Sequence, residues 1–304
     1  MDYLSQEIKL KKIKIDDFKE TEENFLGEGA SGKVYSYVSP DNGRHVVIKM
    51  MEYWESPDEF FQDIVWQSLI HEEVNKLENS VNVHGYSEYH NECGKHYICF
   101  IMDYCDGYQD CFSFIDSCEN WSREIKTPYK RKDPHKNDIF YTMERKFKLV
   151  AIKNIIKSLE SIHSLEIVHG DIKTNNLLIN RSTGDVKFID FGAAIFIEDK
   201  RKYMETDWTH GTLGYRAPEE NYDNLLGKRS DIYSLAVTII ELWMGDIWYS
   251  GETFKQCRNE VLKSLRVIEK NEIELGSFLR KCLNIDGNKR PSIQKIDHFF
   301  QNYS

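Results

Sequence analysis

The sequence predicts an α+β protein of two lobes, a small β-rich N-terminal lobe and a larger α-helical C-terminal lobe, with a cleft between them. Two observations carry this. Through the first third of the chain, β-branched and aromatic runs are broken by turn signals; from about Phe112 onward apolar residues recur at helical spacing. The change falls after Asp103, so the lobes are expected at 1–103 and 104–304, the second carrying a polar insert near 119–140.

In order along the chain, FLGEGASGKVYSYV and RHVVIKMMEYW read as strands separated by the turn signal Pro40-Asp41-Asn42-Gly43. A helix follows, with apolar residues at Phe60, Ile64, Leu69, Val74 and Leu77. VNVHGYSEY and HYICFIMDY form another strand pair, turning at Asn91 to Gly94. Phe147 to Leu165 reads as a long amphipathic helix, and Ile232 to Met244 as a buried one. Between them, LLIN and VKFID read as short strands. Ser122 to Asp138 is polar, locally basic and contains two prolines, so it reads as an exposed loop. That loop is either a solvated connection or a docking or nuclear-import element around Lys130, Arg131 and Lys132.

The bulk numbers bound the function. A 304-residue chain can bury a large core, and 40% hydrophobic with 30% charged residues is ordinary for a soluble protein. A net charge of -10 argues against a general nucleic-acid binder, since phosphate backbones attract clustered Lys and Arg. No apolar run is long enough to cross a bilayer and no signal-peptide core opens the chain, so membrane insertion is not expected and a cytoplasmic or nuclear location is. Seven cysteines do not suggest a disulfide framework; Cys93, Cys99, Cys105, Cys111 and Cys118 match no familiar zinc spacing and are expected to pack as small apolar side chains. The short tail beyond Phe300 leaves little room for an appended regulatory domain.

Gly27-Glu28-Gly29-Ala30-Ser31-Gly32-Lys33-Val34 is a glycine-rich turn between two strands. Without a Cβ in the way, its backbone N–H groups can approach phosphate oxygens. A dinucleotide-binding turn of similar spacing would instead open a helix. Val46-Val47-Ile48-Lys49 follows on the next strand, and His169-Gly170-Asp171-Ile172-Lys173-Thr174-Asn175-Asn176, Asp190-Phe191-Gly192 and Ala217-Pro218-Glu219 come in that order further on.

This ordered set resembles the eukaryotic-type protein kinase superfamily, from about Phe25 to Phe300. The resemblance implies ATP and Mg²⁺ as cofactors and a protein substrate as acceptor. It implies that Lys49 binds the α- and β-phosphates and pairs with a carboxylate of the following helix; Glu73 is expected, in preference to the adjacent Glu72. Asp171 is expected to orient the acceptor hydroxyl and take its proton, with Lys173 neutralising the moving phosphoryl group. Asn176 and Asp190 are expected to ligate the metal. Lys173 and Thr212 are similar to the serine/threonine class. Asp231 is expected to cap the catalytic loop's backbone, and Arg290 to pair with Glu219. For the adenine, the resemblance implies Met102 as gatekeeper, backbone bonds from Asp103 and Cys105, Val47 as roof and Leu178 as floor.

Gly170 stands where the family usually has an arginine that reads a phosphate in the activation segment. Activity is therefore expected not to depend on phosphorylation of Lys200 to Thr209. Gly170 also keeps open a small-molecule kinase, against which Lys173, the A-P-E segment and the motif Ser230-Asp231-Ile232-Tyr233-Ser234-Leu235-Ala236 count. A pseudokinase scaffold would typically lack Lys49, Asp171 or Asp190, and all are present. Nothing in the sequence sets an oligomeric state.

Overall fold

The computed structural model describes residues 8–15, 17–29, 32–39, 43–52, 57–91, 93–115, 138–198, 201–206, 211–245 and 252–304; the side chains of 57–63 and 138–144 are not described. Ala30, Ser31, Pro40 to Asn42, Cys118, Thr209 and nearly all of the insert from Ser122 to Asp138 lie outside the described residues. So do the side chain of Phe60 and residues Tyr53 and Trp54 of the second expected strand. The chain divides into two units, Met1–Asp106 and Gly107–Ser304.

The first unit is built on a six-stranded sheet, in the order β1-β5-β6-β4-β3-β2. Its strands are β1 (Lys11–Lys12), β2 (Phe25–Gly29), β3 (Gly32–Val38), β4 (His45–Glu52), β5 (Val83–His90) and β6 (His96–Asp103). In β4 the alternation of strand side chains buries Val46, Ile48 and Met50 on one face with Tyr35, Tyr97, Cys99 and Ile101. On the opposite face Ile64 of helix α1 (Pro57–Val74) packs with Val83, Ile98 and Phe100, flanked by Met51 and Met102. Burial pushes the Cys99 thiol up, in keeping with an inert apolar role, whereas Cys93 is exposed and did not pack as expected. Strand β1 was not foreseen, because its pair of lysines carries no strand pattern. It runs parallel to β5, and Gly85 permits this: a Cβ there would lie 2.1 Å from the Lys11 carbonyl oxygen.

The second unit is largely helical. After β7 (Tyr108–Asp110) and α2 (111–115), α3 (Asp138–Ser164) buries Ala151, Ile152, Ile155, Ile156, Leu159 and Ile162 along one stripe. Each fully buried Ile or Leu contributes about 1.5–3 kcal/mol, so this stripe outweighs any surface ion pair. Strands β8 (Ile167–Val168), β9 (Leu177–Asn180) and β10 (Val186–Phe188) carry the loops that follow; β11 (Ile195–Phe196) pairs with β8. A second unforeseen hairpin joins β12 (Met204–Glu205) to β13 (Leu225–Leu226), across the short helix α4 (Pro218–Asp223). Helix α5 (Lys228–Met244) is buried at every residue from Ser230 to Leu242, as its nearly continuous apolar sequence predicts. Helices α6 (Phe254–Asn271), α7 (Ile273–Cys282) and α8 (Ile293–Asn302) complete the unit. Among the described residues no helix is long and apolar enough to cross a membrane.

Candidate active site

In the first unit, β2 and β3 meet at the glycine turn, with Gly29 opposite Gly32. Gly32 is required by the fold: its φ is +125°, and a Cβ there would lie 2.1 Å from the Met50 carbonyl oxygen. A Cβ on Gly27 or Gly29 would meet nothing within 4 Å. Internal packing does not demand glycine at those two positions, whereas a phosphate approaching the backbone would. Cross-strand register sets Val34 opposite Lys49 and Val47 opposite Met102, with Glu28 opposite Lys33. Strand alternation therefore brings Val34, Val47, Lys49 and Met102 to one sheet face. Asp103 ends β6. Its amide donates to the Asn82 carbonyl at 3.0 Å, and its carboxylate meets Asn82 Nδ2 at 3.0 Å, His84 Nε2 at 2.7 Å and Arg44 Nη2 at 3.2 Å. Cys105 follows, half-buried.

Lys49 lies opposite Phe100 of β6, on the sheet face against which Ile64 of α1 packs. Glu73, its expected partner, accepts a bond from Lys76 at 2.6 Å.

In the second unit the catalytic loop runs from β8 into a 3-10 turn, Thr174–Asn176. Asp231 of α5, 1% exposed, holds its start: the carboxylate accepts from His169 N at 2.9 Å, Gly170 N at 3.0 Å and His163 Nε2 at 2.8 Å. Burial lowers the His169 pKa, so a neutral ring sits against Phe188 and Phe191, with Nδ1 accepting from the Asp171 amide at 3.3 Å. Gly170 has φ +77°, and a Cβ there would lie 2.5 Å from the Ala193 carbonyl oxygen, so an arginine does not fit this loop as it stands.

Asp171 gathers the chemistry. Lys173 Nζ donates to Asp171 Oδ2 at 2.7 Å and to Thr212 Oγ1 at 2.7 Å, while Thr212 Oγ1 donates to Asp171 Oδ1 at 2.9 Å. Asn176 Nδ2 donates to the Asp171 carbonyl at 2.8 Å and to Oδ2 at 2.9 Å. With Nδ2 so engaged, Oδ1 is the Asn176 atom suited to a hard cation. Asp190 follows β10 with a left-handed φ of 61°, and its Oδ1 accepts from Gly192 N at 3.3 Å. Leu178 lies half-buried in β9, opposite Lys187 of β10 and Asp110 of β7. Positioned this way, Asp171 can align and deprotonate a hydroxyl while Lys173 offers positive charge beside it.

Further groups escaped the sequence reading. Glu241, buried, accepts from Thr174 Oγ1 at 2.9 Å and Tyr215 OH at 2.5 Å, tying the loop to α5. Arg216 donates twice to the Gly211 carbonyl, at 2.9 and 2.6 Å. No local spacing signals these partners, which are joined only by the fold. The expected ion pair is present: Arg290 meets Glu219 in two bonds, at 2.6 and 2.7 Å, with its side chain fully buried.

A family model described as "Protein kinase domain" matches residues 21–300. The chain is 26% identical over 301 residues to wall-associated receptor kinase 1 of Arabidopsis thaliana, covering 90% of this chain and 36% of that protein. It is 27% identical over 285 residues to serine/threonine-protein kinase pim-2 of Danio rerio, covering 90% and 81%. It is 25% identical over 283 residues to myosin-IIIa of Homo sapiens, covering 89% and 16%. The chain thus spans 36% of the receptor kinase's length. A match that runs through both units and over every motif located above leaves one conclusion: the chain belongs to the protein kinase family.

Proposed function

We propose that this protein is a serine/threonine kinase, transferring the γ-phosphoryl group of ATP to Ser or Thr hydroxyls of a protein substrate. The observation that carries the reading is the triangle of Asp171, Lys173 and Thr212, closed by bonds of 2.7, 2.7 and 2.9 Å. Thr212 there binds both the proposed base and the proposed phosphate-facing cation, the arrangement expected of the serine/threonine class. Pim-2, whose printed name is serine/threonine-protein kinase, supports it by likeness.

A divalent cation fits the residues present. Magnesium takes hard oxygens and leans on substrate phosphates, needing only one or two protein ligands. Asn176 Oδ1 and the Asp190 carboxylate are of that chemistry. Among the described residues no three His, Cys, Asp or Glu side chains cluster into a cage, so a cation would be shared with the nucleotide. When bound, it neutralises charge on the phosphate oxygens. The register of Lys49 opposite Val34, beside the glycine turn, supports a role in holding the α- and β-phosphates. Val47, Met102, Asp103 and Cys105 are proposed as adenine contacts, as is Leu178.

Phosphoamino-acid analysis tests the acceptor class. The protein, Mg²⁺ and γ-labelled ATP are incubated with a generic basic protein, and the labelled product is hydrolysed. Labelled phosphoserine or phosphothreonine is expected. Phosphotyrosine alone would refute the acceptor class, and no label in any residue would favour a scaffold.

A further inference from the structure

Gly227 and Gly287 are both glycine without a left-handed backbone to explain it; Gly227 has φ −165°, which any residue adopts. What forbids a side chain there is the activation segment. A Cβ on Gly287 would lie 2.0 Å from the Tyr203 hydroxyl oxygen, 3.2 Å from Tyr203 Cζ and 3.3 Å from Glu219 Oε1. A Cβ on Gly227 would lie 2.2 Å from the Lys202 carbonyl oxygen and 2.9 Å from Tyr203 Cδ1. Two glycines far apart in sequence thus form one seat, and Lys202–Tyr203 fills it.

The seat adjoins structure that matters to the site. Gly287 opens the turn that leads into Arg290, so the Tyr203 ring is set beside the Glu219–Arg290 pair. Burial, then the Glu219 carboxylate, raises the Tyr203 pKa and keeps its hydroxyl neutral. Lys202 Nζ donates to Asn288 Oδ1 at 3.0 Å. Immediately after Tyr203, β12 pairs with β13, and Thr206 N and Oγ1 both donate to the Asn224 carbonyl, at 2.9 and 3.1 Å. Leu226 of β13 would sit 3.2 Å from a Cβ on Gly170, the residue before Asp171. Tyr203 thus precedes a strand whose partner, β13, lies close to the catalytic loop.

We infer that Tyr203 is a positioning residue: seated over Gly287, it tethers the activation segment without phosphate, at a catalytic loop where Gly170 offers no cation to read one. Its effect on catalysis rests on the kinase reading above; the seat itself does not.

The test is a clash and its relief. Gly287→Ala pushes a methyl group into the Tyr203 hydroxyl, and Tyr203→Phe in that background removes the clashing oxygen. The full chain is assayed for phosphate transfer to a generic basic protein and, separately, for amide hydrogen exchange over 201–206. Gly287→Ala is expected to lower kcat about tenfold and to speed exchange, with the KM for ATP changed less than about twofold; overpacking of this kind is relieved by making room. Gly287→Ala/Tyr203→Phe is expected to recover both to within about threefold of wild type. Tyr203→Ala, which empties the seat without a clash, should speed exchange even if Gly287→Ala fails to fold. Unchanged exchange in Tyr203→Ala, or no recovery in the double variant, overturns the seat. Altered and rescued exchange with kcat unmoved overturns the positioning role. If the wild type itself transfers no phosphate, the kinase reading falls, and exchange still decides the seat.

Discussion

Replacing Arg290 with methionine should destabilise this protein more than almost any other single loss of charge. The Arg290 side chain is fully buried and spends its donors on two bonds to Glu219, one to the Asn284 carbonyl at 2.9 Å and one to the Arg229 carbonyl at 2.7 Å. Its guanidinium also lies 5.1 Å from the Tyr233 ring centroid. Methionine fills similar volume but leaves Glu219, its side chain 12% exposed, with only Ser230 Oγ donating to it, at 3.0 Å, among the donors seen here. Breaking a buried pair from one side costs about 3–5 kcal/mol, most of it the stranded charge. For a domain of this size that lowers Tm by on the order of 10 °C. An exposed pair gives the contrast: Lys12–Glu88, at 58% and 44% side-chain exposure, should cost under about 1 kcal/mol when Lys12 becomes methionine. Thermal and urea denaturation of Arg290→Met, Lys12→Met and Arg290→Met/Glu219→Met decide it. The double variant should recover part of the loss, since no charge is stranded. A single Arg290→Met within about 2 °C of wild type would refute the reasoning.

Other outcomes follow from the same geometry. Asp231→Asn replaces one acceptor oxygen with a donor against the amides of His169 and Gly170; transfer should fall at least about tenfold while ATP affinity holds, read by kcat and nucleotide titration. Glu220, 2% exposed, has its pKa raised well above the usual by burial, against the opposing bond from the Ala217 amide. It is protonated in the native protein above the pH at which an unfolded glutamate ionises, so stability should decline as pH rises from about 4.3 through the raised native value. Urea midpoints should show that decline in the wild type and a flatter profile in Glu220→Gln. Alanine at both Thr206 and Thr209 should leave transfer within about tenfold of wild type, because Gly170 offers no phosphate-reading cation; a larger loss, with the fold intact, would contradict phosphate-independent activity.

Legibility in the sequence tracked how local each determinant is. Strands β3, β4, β5 and β6 were readable because alternation and β-branching are written residue by residue. Helix α5 was readable because it is buried all round. Asp171, Lys173, Asn176 and Asp190 stand in short ordered motifs, and Thr212 could be matched by resemblance. What the local pattern could not carry was distance. The β12–β13 hairpin joins residues separated by a helix, and His163, Glu241 and Gly287 act on partners far along the chain. Gly170 was visible as a departure, but its left-handed backbone was not.

The central claim is that Asp171, held by Lys173, Thr212 and Asn176, performs phosphoryl transfer. The direct measurement is transfer of label from γ-labelled ATP, with Mg²⁺, to a generic basic protein by the wild type and by Asp171→Asn, whose size and shape are preserved. Label transferred by the wild type and reduced at least about a hundredfold in Asp171→Asn, at equal Tm, is the predicted result. Equal transfer by both, or none by a folded wild type, would contradict it.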